Sequence, residues 1–334
     1  MNTIQNILEQ FRTKALVFHD HPQDERHGKM LNATLEELSQ LFSQLESQGH
    51  RDELKKLLDD PDKAVQAVAA SFVLFFSPEI ALPLLEKLQY EFYGVGTVAH
   101  RAALHYKKET GIFLDDEKVK EVIRVAFQDV RKGNGIGARE ANALDDYATD
   151  NEQLKAREQD TEEHSWDLPK EWRGQLSTAL SFTDKEGYRF LLPGSMISEI
   201  DNESLGGTTL YSIIGNHMGA SWPPYMSKEE LMAMREISPQ KIMHYYDFND
   251  QQVHAIGLFL LWEMQQNNSY LLANREKYQQ IQERLYEDGM KEKKENPKSW
   301  KNYDFTVKDI MDRFDEDCRI IHDWLKLGGV EVPK

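Results

Sequence analysis

Three sets of side chains in this 334-residue chain have types and spacings from which chemistry is built. Asp145 and Asp146 are adjacent carboxylates with Glu140 close by, a grouping that supports acid–base or metal chemistry when one member is desolvated. Adjacent residues on a helix point about 100° apart, however, and no His stands at ligand spacing to them. Cys318 and His322 lie one turn apart in RFDEDCRIIHDWL, as a thiol and its base would, but Asp315, Glu316 and Asp317 beside the sulfur raise its pKa and blunt the nucleophile. His19, Asp20, His21, Asp24 and His27 form the third set, and Pro22 denies them a shared face on which to hold a metal. His100 and His105 fall five apart rather than four, and the chain has no Gly-x-Ser-x-Gly elbow and no His-Glu-x-x-His. The expectation is therefore no catalytic residue, no metal and no cofactor.

Gly133, Gly135 and Gly137 suggest a phosphate loop, but such loops follow a strand, whereas these glycines follow a helical pattern and no Gly-Lys-Ser/Thr accompanies them. A helix end and a tight turn are expected instead, since Gly supplies the left-handed conformation at helix ends. They open the most distinctive stretch of the chain, Gly133 to Trp172. Between Glu140 and Glu171 eleven carboxylates face three cations, a net charge of −8 in 32 residues against −17 for the whole chain. The residues from Ala138 to Ala148 fit a helix with Ala141, Leu144 and Ala148 inward, leaving Arg139, Glu140, Asp146 and part of Asp145 outward. Such a surface suits docking of a cation-rich protein, because complementary charge speeds encounter and suppresses wrong partners. The expected contact residues are Glu140, Asp145, Asp146, Tyr147, Glu162, Glu163 and Trp166. The same sign repels phosphate backbones and anionic lipid, so neither nucleic acid nor membrane is an expected partner.

Positioning this stretch requires a helical framework. Ile4, Ile7, Leu8, Phe11, Ala15 and Phe18 recur at spacings of three and four, as do Leu31, Leu35, Leu38, Leu41, Phe42 and Leu45, which predicts two amphipathic helices. Short helices follow over DELKKLLDDP, DKAVQAVAASFVLFF, PEIALPLLEKLQYEF and GVGTVAHRAALHYKKETG, with Asp60-Pro61-Asp62 and Ser77-Pro78 as turn and helix-start signals. In residues 116–130, Val119, Val122, Ile123, Ala126, Phe127 and Val130 form the stripe of another helix. Ala179–Thr183 and Tyr188–Leu192, flanking Asp184-Lys185-Glu186-Gly187, predict one β-hairpin ended by Pro193. The segment 250–266 is apolar on more than one face and is expected at the centre of its core, and two further helices are expected near 270–295 and 306–326. Single cores stop growing at about 250–300 residues, so more than one domain is expected: 1–115, 116–268 and a C-terminal extension, 269–334, packed on the second.

LLDDPDKAVQAVAASFVLFFSPEIALPLLEKL and the apolar helix after it resemble HEAT-like repeats, in particular an uncharacterised bacterial HEAT-like domain of toxin and immunity loci, over about residues 50–110. Residues 125–265 resemble a second uncharacterised bacterial family through an Asp-Asp-Tyr helix, a Trp before Leu-Pro, and Phe-x-Asp followed by Gly-x-Arg-Phe-x-x-Pro. These resemblances imply a mainly α protein, with HEAT-like helical hairpins followed by a second helical domain bearing one small β-hairpin. They also imply a non-enzymatic binding protein, an immunity protein that neutralises a cognate basic toxin. The alternatives are an enzyme using the central carboxylates with Arg189 or Tyr147, and a HEAT-like peptide-binding scaffold. The N-terminus MNTIQNILEQF lacks the pattern of a signal peptide, no apolar run reaches the roughly 18–20 residues of a membrane span, and there is one cysteine. The expected location is the cytoplasm; the sequence leaves the oligomeric state open.

Overall fold

The computed structural model describes residues 3–18, 25–91, 93–203, 209–214, 238–266, 275–295 and 306–332, and among them the chain forms sixteen α-helices and no strand. It divides into two compact units, Met1–Phe113 and Leu114–Lys334.

The first unit comprises α1 (Ile4–Ala15), α2 (Glu25–Ser47), a 3-10 segment (Arg51–Asp59), α3 (Lys63–Val73), α4 (Pro78–Leu88) and α5 (Tyr93–Glu109). α3 is the central element: Ala64, Val65, Ala67, Val68, Ala69, Ala70 and Val73 are buried, and it packs against the 3-10 segment, α1, α4 and α5. Its small side chains let neighbours approach closely on several sides. Asp62 caps it, accepting from the backbone N–H of Ala64 at 2.8 Å. Asp60 ties the entry turn to α1 by accepting from Arg12 Nε at 2.7 Å.

The second unit is built around α14 (Asp250–Gln266), which packs against α6 (Asp116–Phe127) and α16 (Val307–Leu327). Val253, Ile256, Phe259, Leu260, Leu261, Trp262 and Met264 of α14 are all buried. They meet Val119, Ile123 and Phe127 of α6 and Met311, Phe314, Ile321 and Trp324 of α16 in one continuous core. Around this centre lie α7 (Ala138–Asp145), α8 (Asp150–Gln159), α9 (Lys170–Arg173), α10 (Leu176–Ala179), α11 (Lys185–Ile200), α12 (Thr209–Ile213), α13 (Pro239–Tyr246) and α15 (Arg275–Glu295).

The expected β-hairpin over 179–192 is not formed. Asp184, expected as the first residue of a hairpin loop, is the N-cap of α11: its carboxylate accepts from Gly187 N at 2.8 Å, α11 replaces the second strand, and the end of α10 with a 3-10 turn over Leu180–Phe182 replaces the first. Tyr188 and Phe190, β-formers on the surface of the text, are buried within the helix. Tyr188 stacks on Tyr246 at 4.1 Å and donates its hydroxyl to Ser212 O at 3.2 Å. Every residue from Gly187 to Ile200 except Arg189 is buried, so α11 carries no polar face and its 3.6-residue period is erased from the sequence. Tertiary burial overrides local β-propensity here.

Pro193 and Gly194 sit inside α11, where Gly194 N donates to Ser165 Oγ at 2.9 Å. A Cβ on Gly194 would lie 2.6 Å from Ser165 Oγ and 2.7 Å from its backbone carbon. Gly194→Ala is therefore expected to lower the thermal midpoint, because overpacking costs about 1–3 kcal/mol while helix propensity returns only about 1 kcal/mol. A midpoint unchanged or raised in thermal unfolding would mean that the Ser165 segment is not held against α11.

Candidate functional site

The glycine turn before α7 is shaped by close backbone approach. Gly133 has φ +57°, and a Cβ on Gly135 would fall 2.4 Å from Gly187 N. Asn134 N and Ile136 N donate to Glu186 (3.2 Å) and Asp184 (3.1 Å) at the start of α11, so carboxylates of the chain itself take the amides a phosphate would use. The N-terminus of α7 is filled in the same way. A helix N-terminus attracts anions, and here Asp160 accepts from Arg139 N at 3.0 Å and Glu140 N at 3.1 Å. Gly137 makes room for it, since a Cβ there would lie 2.3 Å from that carboxylate.

Arginines then take up much of the acidic stretch. Arg139 grips Glu162 with two hydrogen bonds of 2.8 and 2.7 Å, reaches Asp160 at 3.2 Å, and lies 5.3 Å over the Trp172 ring. Arg157 grips Glu140 with two bonds of 2.7 Å. Burial pushes the Glu162 carboxyl up, but its hydrogen bonds to Arg139, backbone hydrogen bonds from Glu162 and Thr161 and the Arg139 charge together leave it below the usual range. Arg131 meets Glu163 at 2.7 Å. His164 lies within 3.0 Å of Gln128 O and 3.2 Å of Asp167, and stacks on Trp166 at 4.5 Å.

The seven expected contact residues therefore fall into different environments. Glu140, expected on the outer side, is only 6% exposed, because α8 packs against α7 and brings Arg157 onto it. Glu162 is largely enclosed by Arg139, Trp166 is half-buried beneath His164, and Glu163 is exposed but ion-paired. Asp146 is exposed and accepts from Asn142 Nδ2 at 2.9 Å. Tyr147, at φ +54°, is 95% exposed. Asp145, the last residue of α7, lines a pocket of about 180 Å³ together with Ala141, Asn142, Trp172 and Phe182.

α8 lies within the acidic stretch but holds none of the seven expected contact residues, and it buries none of its ten residues. Its start is fixed by a capping box, in which Glu152 accepts from Thr149 N at 2.9 Å and from the Thr149 hydroxyl at 2.7 Å. Asp150, Glu152 and Glu158 are exposed on it, and so is Leu154, at 56%. A helix that buries no residue and displays a Leu among charged side chains, Lys155 and Arg157 as well as the acids, is held in place by its caps and by the Arg157–Glu140 pair.

Burial, with Asp317 and Asp315 adding to it, pushes the Cys318 thiol up to about 11, so the sulfur is protonated at neutral pH. Burial raises Glu199 on α11 above the usual carboxylate range, with Thr209 drawing it part of the way back; burial on α11 was not legible before the helix itself was. Residues 19–24 of the histidine set lie outside the described residues, and among the described residues no group of three or more His, Cys, Asp and Glu is placed to hold a metal ion. No described helix is long and apolar enough to cross a membrane.

A protein that is helical among its described residues, with acids exposed on α8 and at the end of α7, is the class that fold and surface define. The chain belongs to a family of unknown function (DUF6714), whose sequence profile matches residues 115–282, half of the chain. An uncharacterised family was expected over about 125–265, and the matched span covers that stretch, including α7, α8 and the pocket. No curated protein and no solved structure matches the chain.

Proposed function

We propose that this chain is a non-enzymatic protein-binding protein, and that its partner is a basic protein docked on the α7–α8 pair. The observation that carries the reading is α8 itself, a helix with no buried residue that presents Leu154 among the exposed acids Asp150, Glu152 and Glu158 and the exposed cations Lys155 and Arg157, next to a Tyr147 that is 95% exposed. An exposed aromatic and an exposed aliphatic side chain, in surroundings where Asp146, Asp150, Glu152 and Glu158 outnumber the exposed cations Lys155 and Arg157, have the make-up of a contact surface, the apolar groups limiting dissociation and the excess of acids speeding encounter. Glu140, Asp160 and Glu162, the most enclosed carboxylates of the stretch, are each engaged by an arginine, which favours binding over acid–base chemistry.

Among basic partners, a cognate toxin fits best, the chain acting as its immunity protein in the cytoplasm. The support for this is the resemblance of 50–110 and 125–265 to proteins of toxin–immunity neighbourhoods. It is also supported by charge, since a toxin that attacks nucleic acid is basic and its inhibitor gains from acidity. We also read α3, α4 and α5 as HEAT-like, on the strength of their short, turn-linked sequence pattern.

The test is binding to the product of the adjacent gene. Tyr147→Ser combined with Leu154→Ser keeps every acid, so dissociation of that complex should quicken about tenfold or more, with association nearly unchanged. Failure of the adjacent product to bind sinks the immunity reading, and identical dissociation of the double variant removes α8 and Tyr147 from the interface.

A further inference from the structure

The pocket beside α7 is the feature that the surface argument leaves unused. Its volume is about 180 Å³. Sites for whole small molecules run from about 300 to 1,000 Å³, whereas a cavity of about 150 Å³ holds a single benzene ring. The space thus suits one side-chain end rather than a cofactor or a metabolite of ordinary size. Trp172 and Phe182 supply aromatic wall, and Asn142, Asp145, Gln175 and Thr178 supply the polar lining.

The chemistry of that lining is directional. Asp145 is an acceptor, and Asn142, which gives one amide hydrogen to Asp146 at 2.9 Å, keeps its carbonyl oxygen as a second acceptor beside one remaining N–H. Among the described residues that line the pocket there is no Lys, Arg or His, so none of them supplies the Asp145 charge with a counter-ion. Asp145 also closes α7, where the carbonyl ends of a helix favour a cation. The Trp172 ring already accepts one guanidinium, that of Arg139, at 5.3 Å, and Arg139 is not among the lining residues.

We infer that this pocket receives the guanidinium end of an arginine side chain carried by the protein partner, seated against Asp145 and the aromatic wall of Trp172 and Phe182. The inference rests on the protein-binding reading above and names the anchor that the partner must carry. Arginine suits the site better than lysine because its planar, weakly hydrated head stacks on aromatic rings and presents several donors to a carboxylate. Its outer part has about as many heavy atoms as benzene, which matches the volume.

The test uses the full chain labelled with 5-fluorotryptophan, with the Trp172 signal assigned by its loss in Trp172→Phe. Three probes are titrated: n-propylguanidinium, the uncharged n-propylurea, and the peptide Gly-Gly-Arg-Gly-Gly. The expected result is a saturable shift of the Trp172 signal with n-propylguanidinium and with the peptide, and at least about tenfold weaker binding of the urea. Asp145→Asn, which keeps shape and removes charge, should weaken the guanidinium about tenfold while leaving the other tryptophan signals in place as evidence of an intact fold. Three results would each overturn the inference: no saturable shift at Trp172, equal binding of urea and guanidinium, or undiminished binding in Asp145→Asn. Binding of n-propylguanidinium with exclusion of the peptide would also overturn it, showing a site for a free small cation. Partner kinetics read the α7–α8 surface separately, so a partner that still binds while Trp172 never shifts sinks the pocket alone.

Discussion

Asp160→Ala is expected to lower the stability of the second unit by about 3–5 kcal/mol, the range for breaking a buried ion pair by removing one partner. The side chain is 3% exposed and accepts three hydrogen bonds, from Arg139 N, Glu140 N and Arg139 Nη1, at 3.0, 3.1 and 3.2 Å. Its loss strips the cap from α7 and leaves two backbone N–H groups without their acceptor. Asp160→Asn keeps the shape but not the charge, and should fall between the native chain and the Ala variant. Glu158→Ala, two residues away and exposed, should stay within about 0.5 kcal/mol of the native chain. All six tryptophans lie within Leu114–Lys334, so urea unfolding followed by tryptophan fluorescence reports this unit. A midpoint for Asp160→Ala equal to that of Glu158→Ala would show that the capping carboxylate does not hold α7.

Trp262→Ala carries the other large effect, again about 3–5 kcal/mol, as for deletion of a buried aromatic. Trp262 is 3% exposed, packs near Phe259 with ring centroids 5.9 Å apart, and donates its indole N–H to Asp116 at 2.7 Å in the first turn of α6. The substitution opens a cavity on the central helix and removes a donor from Asp116 as well. A loss of this size corresponds to about 6–20 °C in the thermal midpoint for a unit of this length. Trp262→Phe separates the two contributions, since it keeps most of the volume and loses only the hydrogen bond, worth about 1–3 kcal/mol because the acceptor is charged. A midpoint unmoved by Trp262→Ala would place this ring outside the core.

The residues that announced their structure in advance were those whose environment is one-sided or uniformly apolar. The stripe of α6 and the apolar segment 250–266 could be read from the sequence, because hydrophobic periodicity and its saturation both leave a mark. α11 could not, because burial on all sides removes the polar face that a helical period needs, and Asp184 serves equally well in a turn or as a cap. The acidic stretch was legible as charge but not as partnership. Arg157–Glu140 and Arg139–Glu162 join residues 17 and 23 apart, a pairing set by how α8 returns against α7 rather than by local spacing. One local cue was present: Thr149-Asp150-Asn151-Glu152 has the capping-box pattern that starts α8. The pocket draws its lining from α7, α9, α10 and the turn after it, so nothing short of the folded chain could reveal it.

Internal pairing also decides which acids can be changed to test the surface. Glu162→Lys would face Arg139 across a broken buried pair and unfold the site, whereas Asp146, Asp150 and Glu158 are exposed. The central claim, that the α7–α8 surface docks a basic protein, is tested most directly by the association rate with the adjacent gene's product across a salt series, for the native chain and for a variant carrying Lys at those three positions. The account predicts fast association of the native chain at low salt, falling as the Debye length shortens from about 30 Å at 0.01 M to about 8 Å at 0.15 M, with the Lys variant slower and its salt dependence flattened or reversed. Equal association rates for the two proteins at every salt concentration would contradict it.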